Sequence, residues 1–513
     1  MKISNLLAAV VLVAVVVSCN RQETVLNPGG AQENPKEVMP KSAINALVNE
    51  QLRQNSRFNW KMVNDNALWS ALVQGDSILA VGYQAAGTGN LDAIIDKIDI
   101  HSDAWTAARQ NVLNLILENE KVTGAAVKSL ITYEASKLPV FYVKASHLAT
   151  VKALRASGLV RYAEPSSYAK YMYDAESPKG RSGASTESDL FTFGCDANLP
   201  KSLVAGVDYI NITPAAKQSW NYALQSIPQA WTQSTGANVK VMLIDTGVSP
   251  DQANLGSAFN QGVSSGRTIE KIATYPGGTP ADVCGHGTKM AGVIAAPRGV
   301  SGSSAGIAYN CNLITVHAAD NVVIASSEST QGISDAYVLG GDNASVKIIS
   351  MSMGTIFEAG QITDAVNYAS NKGKLLFCAA GTTNSFFGPL LGVIYPAYLP
   401  SVLAVTGVTE TPNTACEDCH SGTQVAFTVI MEKNGTKRNP LTTAATGNDP
   451  NTVGGSSVAT ASAAGIAALV WSKYPSYPKD SIVARLKRAS SNYPGRDPKF
   501  GWGYVNVATA VGN

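Results

Sequence analysis

The chain reads as α/β: a three-layer domain on a mostly parallel central sheet, preceded by a small α+β unit. Three observations predict this. Short runs apolar on both faces recur at 239–244, 313–317, 346–350, 374–379 and 402–406, as parallel strands covered by helices on both sides do. Segments with helical spacing lie between and after them, at 288–296, 331–339, 363–371, 457–471 and 479–489. Before residue 205 the pattern differs, with a strand at 77–83, a helix at 105–119, a strand at 138–144, a helix at 147–157 and a strand at 159–165. Helices between parallel strands imply right-handed crossovers. They also put ligands at the carboxyl ends of the strands.

The 513 residues allow two or three domains. Hydrophobic content of 45% and charged content of 15% suit a folded chain. A net charge of +2, with no Lys/Arg cluster interleaved with aromatics, gives no case for nucleic acid.

Lys2 and the apolar run Leu6 to Val17 form an export signal, too short for a comfortable membrane span. The run ends in Val16-Val17-Ser18-Cys19, which resembles a bacterial lipobox. Residues 1–19 are therefore expected to be a lipoprotein signal, with Cys19 lipidated. The alternative is an ordinary secretory signal with a chance cysteine. Membrane contact is expected through the lipid alone. Residues 20–70 divide into a polar tether and a helical segment carrying Trp60 and Trp69. The α+β unit spans 71–173. Residues 174–205 form a linker, whose stretch Glu176 to Ser185 is small, polar and breaker-rich. The main domain is 206–513.

Six cysteines remain besides Cys19: Cys195, Cys284, Cys311, Cys378, Cys416 and Cys419. An even number in an exported chain favours disulfides without fixing their pairing. Cys284 is expected in a disulfide. Cys378, inside an apolar run, suits a buried free thiol. Cys416-Glu417-Asp418-Cys419-His420 matches the haem-attachment pattern C-x-x-C-H, but a disulfide in an exposed loop is the better reading of one short motif.

The chemistry sits in three glycine-flanked segments. Asp245 follows the run Val239 to Ile244, His286 lies in Gly285-His286-Gly287-Thr288, and Ser457 lies in Gly454-Gly455-Ser456-Ser457. A serine hydroxyl is a poor nucleophile until an imidazole takes its proton and a carboxylate orients that imidazole. Ser457 also begins an almost wholly apolar helix, whose N-terminal amides favour developing negative charge.

The order Asp, His, Ser resembles that of the subtilisin-like serine proteases, the subtilases. Gly306-Ile307-Ala308-Tyr309-Asn310, Ile349 to Gly354, Tyr395-Pro396-Ala397 and Gly501-Trp502-Gly503-Tyr504-Val505-Asn506 are similar to further segments of that family, so the resemblance covers roughly 215–513. It implies a subtilisin-like fold and a serine endopeptidase with nucleophile Ser457, base His286 and orienting carboxylate Asp245. It also implies a protein or peptide substrate paired along Ser352-Met353-Gly354, with Met353 as an apolar wall. The family's A-A-G-N, whose Asn completes the oxyanion hole, is here Ala379-Ala380-Gly381-Thr382-Thr383-Asn384. Thr382 and Asn384 are thus both candidates, and a hole reduced to the Ser457 amide is a third reading. Lys289 stands for a family His, and Ala461-Ser462 for its Pro-His. No cofactor is required by this chemistry and no metal ligands are assigned; structural calcium is common in the family. The strand-helix-strand ending Val160-Arg161-Tyr162-Ala163-Glu164-Pro165 resembles the family's inhibitory propeptide, with a generic ferredoxin-like unit as the alternative. By that resemblance the chain is a self-processing zymogen whose own propeptide is a partner. The tail to Tyr173 would run extended through the active site and be cut after Tyr171 or Tyr173, or in the stretch up to about 205.

Overall fold

The computed structural model describes residues 37–123, 127–174, 195, 202–382 and 392–512. Cys19, Asn384 and most of the linker fall outside these residues.

The N-terminal unit is a βαββαβ arrangement. Its strands are β1 (Ile78–Tyr83), β2 (Ile131–Glu134), β3 (Val140–Lys144) and β4 (Val160–Pro165), in the spatial order β2-β3-β1-β4 and antiparallel throughout. Helices Asp103–Glu120 and Leu148–Ala156 pack on the sheet through Trp105, Val112, Ile116, Val151 and Leu154. The short strand β2, whose residues are only partly buried, is not legible in the sequence. Helices Lys41–Asn55 and Asp65–Gln74 share this core through Val48, Leu68 and Leu72, so no structural boundary falls at residue 70.

One feature departs from expectation. Residues Tyr168–Asp174 form a helix, not an extended strand. Tyr168 and Met172 are buried against the unit's core, and the Lys170 amide donates to Ala325 O at 3.1 Å. Packing of an i, i+4 apolar pair against that core overrides an extended conformation.

A small hairpin follows, β5 (Tyr209–Ile212) with β6 (Ala216–Ser219). The main domain is a seven-stranded sheet of β7 (Lys240–Asp245), β8 (Ile269–Ala273), β9 (Asn312–His317), β10 (Val346–Met351), β11 (Leu375–Ala379), β12 (Leu403–Thr409) and β13 (Val425–Glu432). Its order is β13-β12-β11-β10-β7-β9-β8, and every pairing is parallel. The order reverses at β7, the topological switch point.

Side chains of β7 alternate between the two faces. Val241 and Leu243 pack with helices His286–Ala295 and Gly455–Lys473. Met242 and Ile244 pack with helices Ser327–Asp342 and Gly360–Asn371. This alternation produces the three layers. Helix Gly455–Lys473 is long and apolar enough to cross a membrane by composition, but it is the central buried helix of this domain.

The N-terminal unit sits on the layer formed by helices Ser327–Asp342 and Gly360–Asn371. Tyr133 Oη donates to Asp335 at 2.9 Å, Arg161 pairs with the buried Asp364 at 2.7 Å, and Glu164 Oε2 accepts the Gly360 amide at 2.8 Å. Phe58, Trp60, Tyr168 and Phe357 form one aromatic cluster across the contact.

Candidate active site

Asp245 is the last residue of β7, and His286 is the first of helix His286–Ala295. The two elements approach so closely that a Cβ on Gly287 would meet Gly247 O at 2.2 Å, which excludes any larger residue there. His286 Nδ1 lies 2.7 Å from Asp245 Oδ1, and both side chains are buried. Since a carboxylate only accepts, Nδ1 carries the proton and Nε2 holds its lone pair outward. Asp245 Oδ1 also accepts the Thr246 amide at 2.9 Å, while Oδ2 is buried with no hydrogen-bond partner among the described residues.

Asp282, not singled out in the sequence, organises this corner. Its Oδ1 accepts the amides of Cys284 and Gly285 and the Thr246 hydroxyl, at 3.0, 2.7 and 2.8 Å. Its Oδ2 accepts the Thr288 amide at 2.8 Å and the Thr288 hydroxyl at 2.5 Å. The available signal was an acidic residue four positions before the glycine-flanked histidine. Cys284 is disulfide-bonded to Cys195, which anchors that point of the linker beside the catalytic corner.

Ser457 is in the first turn of helix Gly455–Lys473. Its Oγ donates to Ser352 O at 3.4 Å, and Ser352 Oγ donates to Ser457 O at 3.0 Å. No hydrogen bond joins Ser457 Oγ to His286 among the described residues. The Asp245–His286 pair is therefore formed, and the Ser457 hydroxyl is turned toward the strand end.

Thr382 lies directly against this turn. Its Oγ1 accepts the Ser456 amide at 3.1 Å and shares a second hydrogen bond, also 3.1 Å, with Ser456 Oγ, which in turn accepts the Gly381 amide at 3.1 Å. The Thr382 hydroxyl is thus placed by Ser456, the residue preceding Ser457. Asn384 lies outside the described residues.

Ser352-Met353-Gly354 continues from the end of β10 and lines a cleft beside Ser457. Met353 is a buried wall of that cleft, as its apolar character suggests. The expected peptide pairing along this segment meets an internal partner at Gly354. Its amide donates to Val322 O at 3.1 Å and its carbonyl accepts the Ile324 amide at 3.0 Å, so the chain's own segment Val322–Ile324 occupies that edge. Unpaired backbone groups at an edge take whatever partner is nearest, and here it is internal.

His317, the last residue of β9, and the four cysteines Cys311, Cys378, Cys416 and Cys419 are structural groups. His317 is held by Thr279 O and Asp320 and stacks on Tyr275. Cys378 is a buried free thiol whose pKa burial pushes up, and Cys311 is likewise free, pushed up to about 12 by burial. Cys416 and Cys419 form a disulfide, which leaves neither sulfur for haem attachment. That disulfide is buried, not in an exposed loop, because Cys419 bridges to Thr382 beside the cleft. Among the described residues no group of three His, Cys, Asp or Glu side chains is arranged to hold a metal ion.

A carboxylate at a strand's carboxyl end, an imidazole at a helix start and a serine in the first turn of a second helix define a serine-hydrolase-type site on a three-layer α/β fold. The model of the subtilase family matches residues 236–503, more than half of the chain, and the chain belongs to that family. It is 31% identical over 305 residues to a thermostable alkaline protease of Halalkalibacterium halodurans, covering 58% of this chain and 75% of that one. It is 28% identical over 298 residues to thermitase of Thermoactinomyces vulgaris, covering 57% of this chain and 96% of that one. Among solved structures it is similar to MycP1 of Mycobacterium smegmatis, at 20% identity and a TM-score of 0.46, covering 61% of this chain and 90% of that one.

Proposed function

We propose that the protein is a serine endopeptidase acting through an acyl-enzyme and made as a self-processing zymogen. The observation that carries this reading is the buried Asp245–His286 pair facing the helix turn of Ser457. Ser457 first turns from Ser352 O toward His286, a side-chain rotation between staggered wells. His286 Nε2 then takes the hydroxyl proton as Ser457 Oγ bonds to the scissile carbonyl carbon. The tetrahedral oxyanion meets the N-terminal amides of helix Gly455–Lys473, with Thr382 or Asn384 as the side-chain donor. His286 gives its proton to the leaving amine as the C–N bond breaks. Water, deprotonated by the same imidazole, releases the acid and restores Ser457 Oγ–H. No cofactor enters these steps, and structural calcium is left to the family's loops.

The N-terminal unit serves as the inhibitory propeptide. Support comes from Glu164, which caps the start of helix Gly360–Asn371 from the neighbouring unit, and from the aromatic cluster around Trp60. Export follows from residues 1–19, with lipidation at Cys19 as the membrane anchor. Cleavage after Tyr171 or Tyr173 is not retained, because a peptide bond must be extended to enter such a site and residues 168–174 are helical. The cut is placed between Glu176 and Cys195.

A second reading, a catalytically impaired subtilase that binds peptides, is favoured by Thr382 at the oxyanion position and by the disengaged Ser457. Labelling with a fluorophosphonate decides between them, since only a serine activated by His286 reacts. Absence of labelling in the processed protein excludes the peptidase.

A further inference from the structure

His420 is the feature of the cleft that the chemistry above does not use. It lies in the loop after the Cys416–Cys419 disulfide and lines the cleft with Val323, Met353, Ile394, Thr382 and Ser457. Its backbone is fixed at both ends of the peptide unit: the amide donates to Gly381 O at 3.0 Å, and the carbonyl accepts the Thr406 hydroxyl at 2.5 Å. The imidazole fills the space where Gly381 would carry a side chain, since a Cβ there would meet His420 Nδ1 at 2.5 Å. Gly381 has φ of +120°, so the missing side chain and the backbone turn go together.

The ring's tautomer follows from its contacts. Nδ1 lies 3.0 Å from Gly392 O, which only accepts, so Nδ1 carries the proton. Burial also pushes the imidazole pKa down, which keeps the ring neutral near pH 7. Nε2 is then a bare acceptor, and among the described residues it has no hydrogen-bond partner although His420 is only 5% exposed. A buried acceptor left unpaired is costly and calls for an explanation. The rest of the cleft wall is largely apolar, from Val322, Val323, Met353, Ile356 and Ile394, and among the described residues no carboxylate lines it. A charged ammonium would therefore lose its hydration without a counter-charge.

We propose that His420 is a specificity-determining residue. Its Nε2 accepts a hydrogen bond from the tip of the substrate side chain seated beside Ser457, on the amino side of the scissile bond. Side chains ending in an uncharged N–H or O–H donor, such as Gln and Tyr, are preferred over their apolar near-isosteres Met and Phe.

This rests on the peptidase reading, and the test separates the two. Fluorophosphonate labelling of Ser457 is measured first, and its absence overturns both. Fluorogenic peptides differing only at the residue before the scissile bond then give kcat/KM for Gln against Met and for Tyr against Phe. One neutral hydrogen bond predicts ratios of about fivefold to tenfold in favour of the donor. His420→Phe brings both ratios near one while Met and Phe peptides are still cleaved. His420→Gln, which retains an acceptor, restores part of the preference. Ratios near one in the labelled wild-type enzyme overturn the proposal, as does an active His420→Phe enzyme that keeps the wild-type ratios. Should His420→Phe fail to fold, the wild-type ratios and the His420→Gln enzyme decide alone.

Discussion

His286 Nδ1 lies 2.7 Å from Asp245 Oδ1, and the carboxylate is 1% exposed. That single contact sets the imidazole's tautomer. An amide at position 245 can instead offer its N–H₂ to Nδ1, which moves the ring proton to Nε2 and leaves no base for Ser457. Asp245→Asn is expected to keep the fold and to lower kcat by about 10⁴. A kcat within tenfold of wild type would remove Asp245 from the orienting role.

Ser457→Ala removes the atom that forms the acyl bond. Peptide hydrolysis should fall by roughly 10⁶ and fluorophosphonate labelling should vanish. Stability should be nearly unchanged, because the lost hydrogen bond, to Ser352 O, is long at 3.4 Å. Retained labelling in the folded variant would assign the nucleophile elsewhere.

The oxyanion position is tested by comparing Thr382→Val with Asn384→Ala. Thr382→Val deletes the hydroxyl that accepts the Ser456 amide, so it disturbs the nucleophile turn as well as any donor. If Thr382 supplies the donor, kcat drops by about 10²–10³ with KM little changed, and Asn384→Ala is near neutral. The reverse pattern assigns Asn384. Equal indifference leaves the helix amides alone.

The strands and helices around Asp245, His286 and Ser457 were legible because each is a run apolar on both faces or an apolar stripe. Strands β2, β8 and β13 were not, since β2 and β8 are only partly buried and their apolar signal is weak. Strand β13 is well buried, but no helix separates it from β12, so the alternation that revealed the other strands is missing. Asp245, His286 and Ser457 stood out for their glycine neighbours. Asp282 and His420 did not, because their roles depend on backbone groups brought near only by folding. His420 closes a C-x-x-C-H pattern whose two cysteines pair with each other, so the pattern carries no signal for the ring. Helix Tyr168–Asp174 was misread because its apolar face meets Trp60 and Phe357, residues remote in sequence.

Contact between the two units should weaken as pH rises. Glu164 is buried, and desolvation raises its pKa to about 7 although the Gly360 amide pulls the other way. The groups facing it are Lys61, Glu358 and Asp364, with Arg161 paired to Asp364. A carboxyl raised from 4.5 to about 7 binds more protons in the docked state than in the free state across that window. Docking is therefore strongest below about pH 4.5 and loses stability through pH 7, by on the order of 3 kcal/mol in total at 1.4 kcal/mol per unit. Binding of a separately supplied segment 37–174 to the catalytic domain, measured across pH 5 to 8, should weaken with pH, and Glu164→Gln should flatten the slope. An unchanged slope in Glu164→Gln would assign it to other groups.

On the zymogen reading, the Cys195–Cys284 disulfide decides what a cut in the linker releases. A cut on the amino side of Cys195 leaves the disulfide wholly within the catalytic fragment. The N-terminal unit and any lipid on Cys19 are then held only by non-covalent contacts. A cut beyond Cys195 would keep the two fragments covalently joined through Cys284. The polar, breaker-rich stretch Glu176 to Ser185 favours the first case. Mass spectrometry of wild type matured in its own host should show a new N-terminus between residues 176 and 195, absent from Ser457→Ala. On denaturing gels without reductant the wild-type fragments should separate. One band that splits only on reduction would place the cut after Cys195, and a full-length wild-type chain with peptidase activity would refute the zymogen reading.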